Sequence, residues 1–220
     1  MAELARNTEL QLDTKPKSPW LEAWVIFKRN RLALVGLGIV TFFVLLAIFA
    51  PLIAPYGINE QDLSKRLLPP SADNWFGTDD FGRDILSRVI HGARISLWVG
   101  FFSVLGSVII GALLGLIAGY YGGLIDTIIS RFFDILLAFP SILLAIAIVS
   151  ILGPSLQNAL IAIAVINIPN FGRLIRSRVL SVKQEEYILA ANAIGMSDGR
   201  IIFHHVLPNS ITPIIVQGTL

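Results

Sequence analysis

The fold class predicted by this sequence is all-α: a polytopic membrane helix bundle. Three observations carry it: 55% of the 220 residues are hydrophobic, only 15% are charged, and the charges gather into islands between long uncharged runs. A water-soluble domain of this size would scatter its charges over its surface. A helix needs about 20 mostly apolar residues to cross a bilayer, and the uncharged runs at 32–59, 95–125 and 135–172 all reach that length. The third is long enough for two spans and is divided by Gly153-Pro154-Ser155, a turn signature. A fifth run opens at Val206 and continues to Leu220. At about 15 residues it falls short of a full span, so about five spans are expected, the last one incomplete.

Taken in order, residues 1–31 read as a cytoplasmic tail ending in an interfacial helix. Ser18-Pro19 supplies a cap and a first-turn proline, Trp20, Trp24 and Phe27 recur at helical spacing, and Lys28, Arg29 and Arg31 sit at headgroup level. The polar start and the long first apolar run argue against a cleavable signal peptide. Residues 32–55 form the first span. Residues 56–94 form an extracytoplasmic loop in which Gly77, Thr78 and Asp79 make a turn and cap, followed by a surface helix with Leu86, Val89, Ile90 and Ala93 on one face. Asp84 and Arg88, four residues apart, are expected to pair on the opposite face. Asp79, Asp80 and Asp84 lack the spacing of a calcium loop, and no metal is expected there.

Residues 95–220 form the membrane core, with a charged loop at 173–205. Gly111, Gly115 and Gly119 fall on one side of a helix, where another backbone can approach closely. Pro140 and Pro169 interrupt the hydrogen-bond ladder of their spans. Asn167 and Asn170 place polar groups near the cytoplasmic end of the fourth span, where pathway lining and interhelical hydrogen bonding are both open readings.

Orientation follows from Lys and Arg, which are retained on the cytoplasmic side. With the N-terminus inside, 12 of the 17 fall in the cytoplasm: Arg6, Lys15, Lys17, Lys28, Arg29 and Arg31, then Arg131 in a turn, then Arg173, Arg176, Arg178, Lys183 and Arg200. The 173–205 loop is therefore expected inside.

Enzymatic readings find no support. The chain has no cysteine, no G-x-x-x-x-G-K-[ST] phosphate loop, no H-E-x-x-H and no G-x-S-x-G. No catalytic residue, metal or cofactor is assigned, and no nucleic-acid partner is expected. The apolar runs also lack the buried ionisable groups of a proton- or ion-coupled carrier. An energy source must come from another polypeptide.

In the charged loop, Tyr187, Ala190, Ala191 and Ile194 share a helical face, Ala191 and Gly195 make a small notch, and Met196 to Gly199 end or bend the helix. The order Ala190-Ala191, three residues, Gly195 and then Leu207-Pro208 resembles the EAA loop of ABC-importer permeases. With Gly77, Thr78, Asp79, Gly82, Arg83, Asp84, Arg88 and Arg94 of the outer loop, the chain resembles the C-type permease subunit of dipeptide, oligopeptide and nickel importers. These are type I, MetI-like permeases.

The resemblance implies a heterodimer with a second permease subunit, two cytoplasmic ATP-binding subunits, an extracytoplasmic substrate-binding protein and a surround of membrane lipid. It further implies that Glu185, Glu186, Tyr187, Ala190, Ala191, Ile194, Gly195, Leu207 and Pro208 contribute to ATPase coupling, bulk at Gly195 blocking the approach. Leu189 stands where the family's glutamate would be, with Glu185 and Glu186 one turn earlier. Such permeases usually have six spans, so C-terminal truncation is expected. Peptide transport is the leading reading; a nickel or other small-solute permease and a non-energised channel or scaffold are the alternatives.

Overall fold

The computed structural model describes residues 24–25 and 27–219, so Ser18, Pro19 and Trp20 of the expected interfacial helix lie outside the described residues. Farther along, the Trp24 and Phe27 rings stack at 5.7 Å, and the Lys28 ammonium lies 5.1 Å from the Trp24 ring centroid.

The described residues form helices and contain no strand. Helix α1 is Arg31–Ile53, and its cap is Asn30, whose side chain accepts from the Leu32 and Ala33 backbones at 3.0 and 3.2 Å. Only Ala47 and Ala50 of α1 are buried. An apolar helix so exposed is suited to lipid rather than water. A short 3₁₀ turn, Leu63–Lys65, precedes α2, Ile85–Tyr121. Helix α3 is Gly123–Ala138, α4 is Ser141–Leu152 and α5 is Leu156–Val182. Next come α6, Glu186–Ala193, α7, Asp198–Ile201, a π turn at Ile202–Val206, and α8, Leu207–Gly218. The wider π turn makes room ahead of Pro208, whose ring cannot sit against the carbonyl one α-turn back.

Three expectations are corrected. Among the described residues, α1, α2 and α5 are long and apolar enough to span, and α3 with α4 makes a fourth if the pair, bent by 96°, is one span. Helix α8 has 12 residues, in keeping with an incomplete last span; but α5 runs on through Arg173 to Val182, so the expected 173–205 loop begins as helix. Arg131 is not in a turn: the chain reverses at Gly122, φ +69°, and Arg131 lies within α3. The surface helix of the outer loop is not separate either, because α2 runs unbroken from Ile85 through position 95. Hydropathy locates charges but cannot tell a loop from a helix whose charges have partners.

The chain divides into two compact units, one ending at Ile95 and the other covering Ser96–Leu220. In the second, the glycine stripe does what its spacing predicts. A Cβ on Gly115 would lie 2.2 Å from the Gly172 carbonyl oxygen, and one on Gly111 would lie 2.7 Å from that of Ile168. Helices α2 and α5 therefore meet backbone to backbone. Gly172 opens a further space for the Phe133 ring of α3, whose Cζ would be 2.2 Å from an added Cβ. Below this contact a continuous apolar cluster joins Leu116 and Tyr120 of α2, Ile175 and Val179 of α5, Ile188 and Ala191 of α6, and Ile201 and Val206.

Candidate functional site

The outer-loop motif is organised around two carboxylates with separate tasks. Asp84 is only 5% exposed. Its Oδ1 accepts from the Asn74 side-chain amide at 3.0 Å and its Oδ2 from the Ser87 backbone at 2.7 Å, so Asp84 caps α2. Asp79 accepts from the Phe81 and Arg83 backbones at 2.9 and 3.0 Å and takes both the Arg83 and Arg88 guanidinium groups. The expected Asp84–Arg88 pair is thus corrected: Arg88 turns to Asp79, and Asp84 turns inward. Desolvation works against ionisation of both acids, but the converging donors outweigh it. Asp79 is held down to about 2. Asp84 is likewise lowered, through the Asn74 amide and the Ser87 backbone.

Thr78 links two stretches of this loop, accepting from the Leu68 backbone at 2.9 Å while its hydroxyl donates to the Lys65 carbonyl. Gly77 and Gly82 have φ of +74° and +70°, and a Cβ at Gly82 would lie 1.8 Å from the Asp62 carbonyl oxygen. Arg94 is exposed on α2. Every polar group of the motif except Arg94 is spent on folding the loop, and none forms an open ligand set.

Around α6 the arrangement is different. Ile188 is fully buried and Ala191 is 6% exposed, whereas Tyr187, Leu189, Ala190 and Ile194 face outward, Ile194 at 78% exposure. Ala191 therefore does not line a notch with Gly195; it belongs to the core beneath the helix. The exposed face is Tyr187, Ala190 and Ile194, joined by Leu189. Glu186 occupies the first turn, where a carboxylate suits the helix dipole, and Glu185 precedes it without a side-chain cap bond. Gly195 terminates the helix with φ +76°. The Met196 backbone donates to the Ala191 carbonyl at 3.1 Å and Gly195 to that of Asn192 at 3.0 Å, the paired bonds of a Schellman cap. Leu207 packs against the apolar cluster, and Pro208 lies in the first turn of α8.

Ion pairs tie the C-terminal half of α5, which leads into this segment, to α3. Arg176 grips Asp126 with two nitrogens, its Nη2 at 2.6 Å from Oδ2, and the Arg173 Nη2 reaches Asp134 at 2.6 Å. The Tyr120 hydroxyl donates to Asp198 at 2.8 Å. Nothing in the sequence links Tyr120 to Asp198, because a lone aromatic at the end of an apolar run carries no signal of a distant partner. The Asn167 side chain donates to the Ile163 carbonyl of its own helix at 2.9 Å, and Asn170 is exposed.

Residues 111–220 match the binding-protein-dependent transport system inner membrane component family, and residues 18–70 match the N-terminal transmembrane domain of oligopeptide transport permease C. The chain is 66% identical over 203 residues to the dipeptide transport system permease protein DppC of Alkalihalophilus pseudofirmus, covering 92% of this chain and 67% of the relative. It belongs to the binding-protein-dependent transport permeases. The permease is also 46% identical to DppC of Haemophilus influenzae, over 97% of this chain and 74% of the relative. To the glutathione transport system permease protein GsiD of Salmonella paratyphi A it is 48% identical, over 93% of this chain and 68% of the relative. It is accordingly a multi-pass inner-membrane permease subunit of an ABC importer, and not an enzyme.

Proposed function

We propose that this permease forms half of the translocation pathway of a short-peptide importer, has its N-terminus in the cytoplasm, and couples to an ATP-binding subunit through α6. Its partners are a second permease subunit in a heterodimer, two cytoplasmic ATP-binding subunits and an extracytoplasmic binding protein. The observation that carries the coupling role is the split of α6. Ile188 and Ala191 root the helix in the core, while Tyr187, Leu189 and Ile194 expose apolar side chains. A water-facing helix that shows so much apolar surface fits a protein groove. Leu189, at 56% exposure in the glutamate's place, joins that face, so contact here is by packing. The peptide substrate is supported by the relatives, named for dipeptide and glutathione transport.

The test is made in the complete importer. Removing one such apolar contact and burying a charge, as in Ile194→Asp, is expected to weaken ATPase binding at least tenfold, the scale of one buried Ile side chain. Peptide uptake should fall with it. Undiminished ATPase co-purification and uptake would sink the docking assignment.

A further inference from the structure

Tyr120, the next-to-last residue of α2, meets both ends of the segment that carries α6. Its hydroxyl donates to Asp198 Oδ1 at 2.8 Å, just past the Gly195 cap. Its backbone carbonyl accepts from Lys183 Nζ at 2.6 Å, just before α6 begins. The same ammonium lies 5.4 Å from the Tyr120 ring centroid, within cation–π range. The ring itself is buried, 5% exposed, in the cluster that contains Ile188 and Ala191. One residue of a membrane-spanning helix thus touches the entry, the exit and the underside of the α6 segment.

We infer that Tyr120 is a positioning residue that passes displacement of α6 to α2. A short helix tethered at one end can tilt without moving its support. Tethered at both ends to the same residue, it must carry that residue along when it shifts. The contact lies where α2 is also closely seated on α5, since a Cβ on Gly119 would be 2.9 Å from Val179 side-chain atoms. Beyond Tyr120 the chain turns at Gly122, where an added Cβ would meet nothing within 4 Å. The last turn of α2 is therefore bound to α5 and to the residues that flank α6, and the turn that follows it is open at Gly122. This role rests on α6 being the docking helix.

The measurement is peptide imported per ATP hydrolysed, using the complete importer in proteoliposomes. Tyr120→Phe keeps the ring and the Lys183 contacts and removes only the hydroxyl bond. The ratio is expected to fall about fivefold, the factor matching one hydrogen bond of ordinary net strength, with ATPase co-purification and ATP hydrolysis retained. Asp198→Ala, made at an exposed residue, should produce the same fall, and the double variant no further fall because both remove one bond.

An unchanged ratio in both single variants overturns the proposal. So does loss of assembly in both, or a parallel decline of import and hydrolysis, since either outcome marks a clamp that only holds the fold. Failure of the docking reading looks different: Ile194→Asp would leave the ATPase bound and import intact, whatever Tyr120 does.

Discussion

The outer loop and the α6 segment both rely on a glycine in the left-handed region, Gly82 at φ +70° and Gly195 at φ +76°, yet their surroundings are opposite. Gly82 is wedged against the Asp62 backbone, in a loop whose interior is filled by Asn74, Thr78, Asp84 and Ser87. Nothing lies within 4 Å of a Cβ on Gly195, and the helix it caps rests on Ile188, Ala191 and an apolar cluster. Buried polar groups must each find a partner of fixed direction, so they specify one conformation of the loop. Apolar contacts are less directional and leave the outer face of α6 available to a partner.

The largest effect that would sharpen this contrast belongs to Gly82→Ala. The left-handed conformation costs an L-residue about 1–2 kcal/mol, and the 1.8 Å approach to the Asp62 carbonyl oxygen requires the backbone to shift. Together these are expected to destabilise the loop by about 3 kcal/mol or more. Limited proteolysis between Tyr56 and Arg94 should show rapid cleavage in the variant and slow cleavage in the parent. Equal cleavage would mean that the Asp62 contact does not constrain the loop.

Asp84→Ala comes next. It leaves the buried Asn74 amide without its acceptor and removes the cap of α2, for an expected loss of about 1–3 kcal/mol. The carboxylates add a pH signature with a definite sign. Asp79 and Asp84 both titrate lower in the folded loop than in an unfolded chain. Their stabilisation is therefore complete above about pH 4 and is lost as pH falls, through about 2 for Asp79. Cleavage of the outer loop should rise over that interval, and Asp79→Asn should weaken the acid dependence. A loop equally resistant at pH 5 and pH 2 would remove the carboxylates from the account.

These two regions were unequally legible in the sequence. Apolar run length located α1, α2 and α5, and the four-residue spacing of Gly111, Gly115 and Gly119 marked the close face of α2 because helical periodicity is local. The same rule misled at Asp84 and Arg88. Four residues apart on a helix they suit one another, but Asp84 is the cap and bonds across a turn to Asn74, which periodicity cannot see. Helical spacing also grouped Ala191 with Tyr187 and Ile194 without revealing which side the core lies on. Ile188, between them, was the available clue, since an Ile next to Tyr187 on a short helix needs somewhere to be buried. Tyr120 was out of reach: its partners Lys183 and Asp198 are brought to it only by the packing of α2 on α5.

The smallest effect separates two accounts of Gly195. If its smallness admits the partner, any added side chain should disturb coupling in proportion to its bulk. If its backbone conformation caps α6, asparagine should be tolerated better than alanine despite being larger, because Asn accepts the left-handed region more readily. The open space around Gly195 and the two Schellman bonds favour the cap. Gly195→Ala is then expected to cost about 1 kcal/mol of stability and Gly195→Asn less. Thermal unfolding in detergent ranks the two, and peptide uptake by the complete importer should follow the same order. Uptake that instead falls from glycine to alanine to asparagine would return Gly195 to the docking surface and place the partner within contact of its Cα.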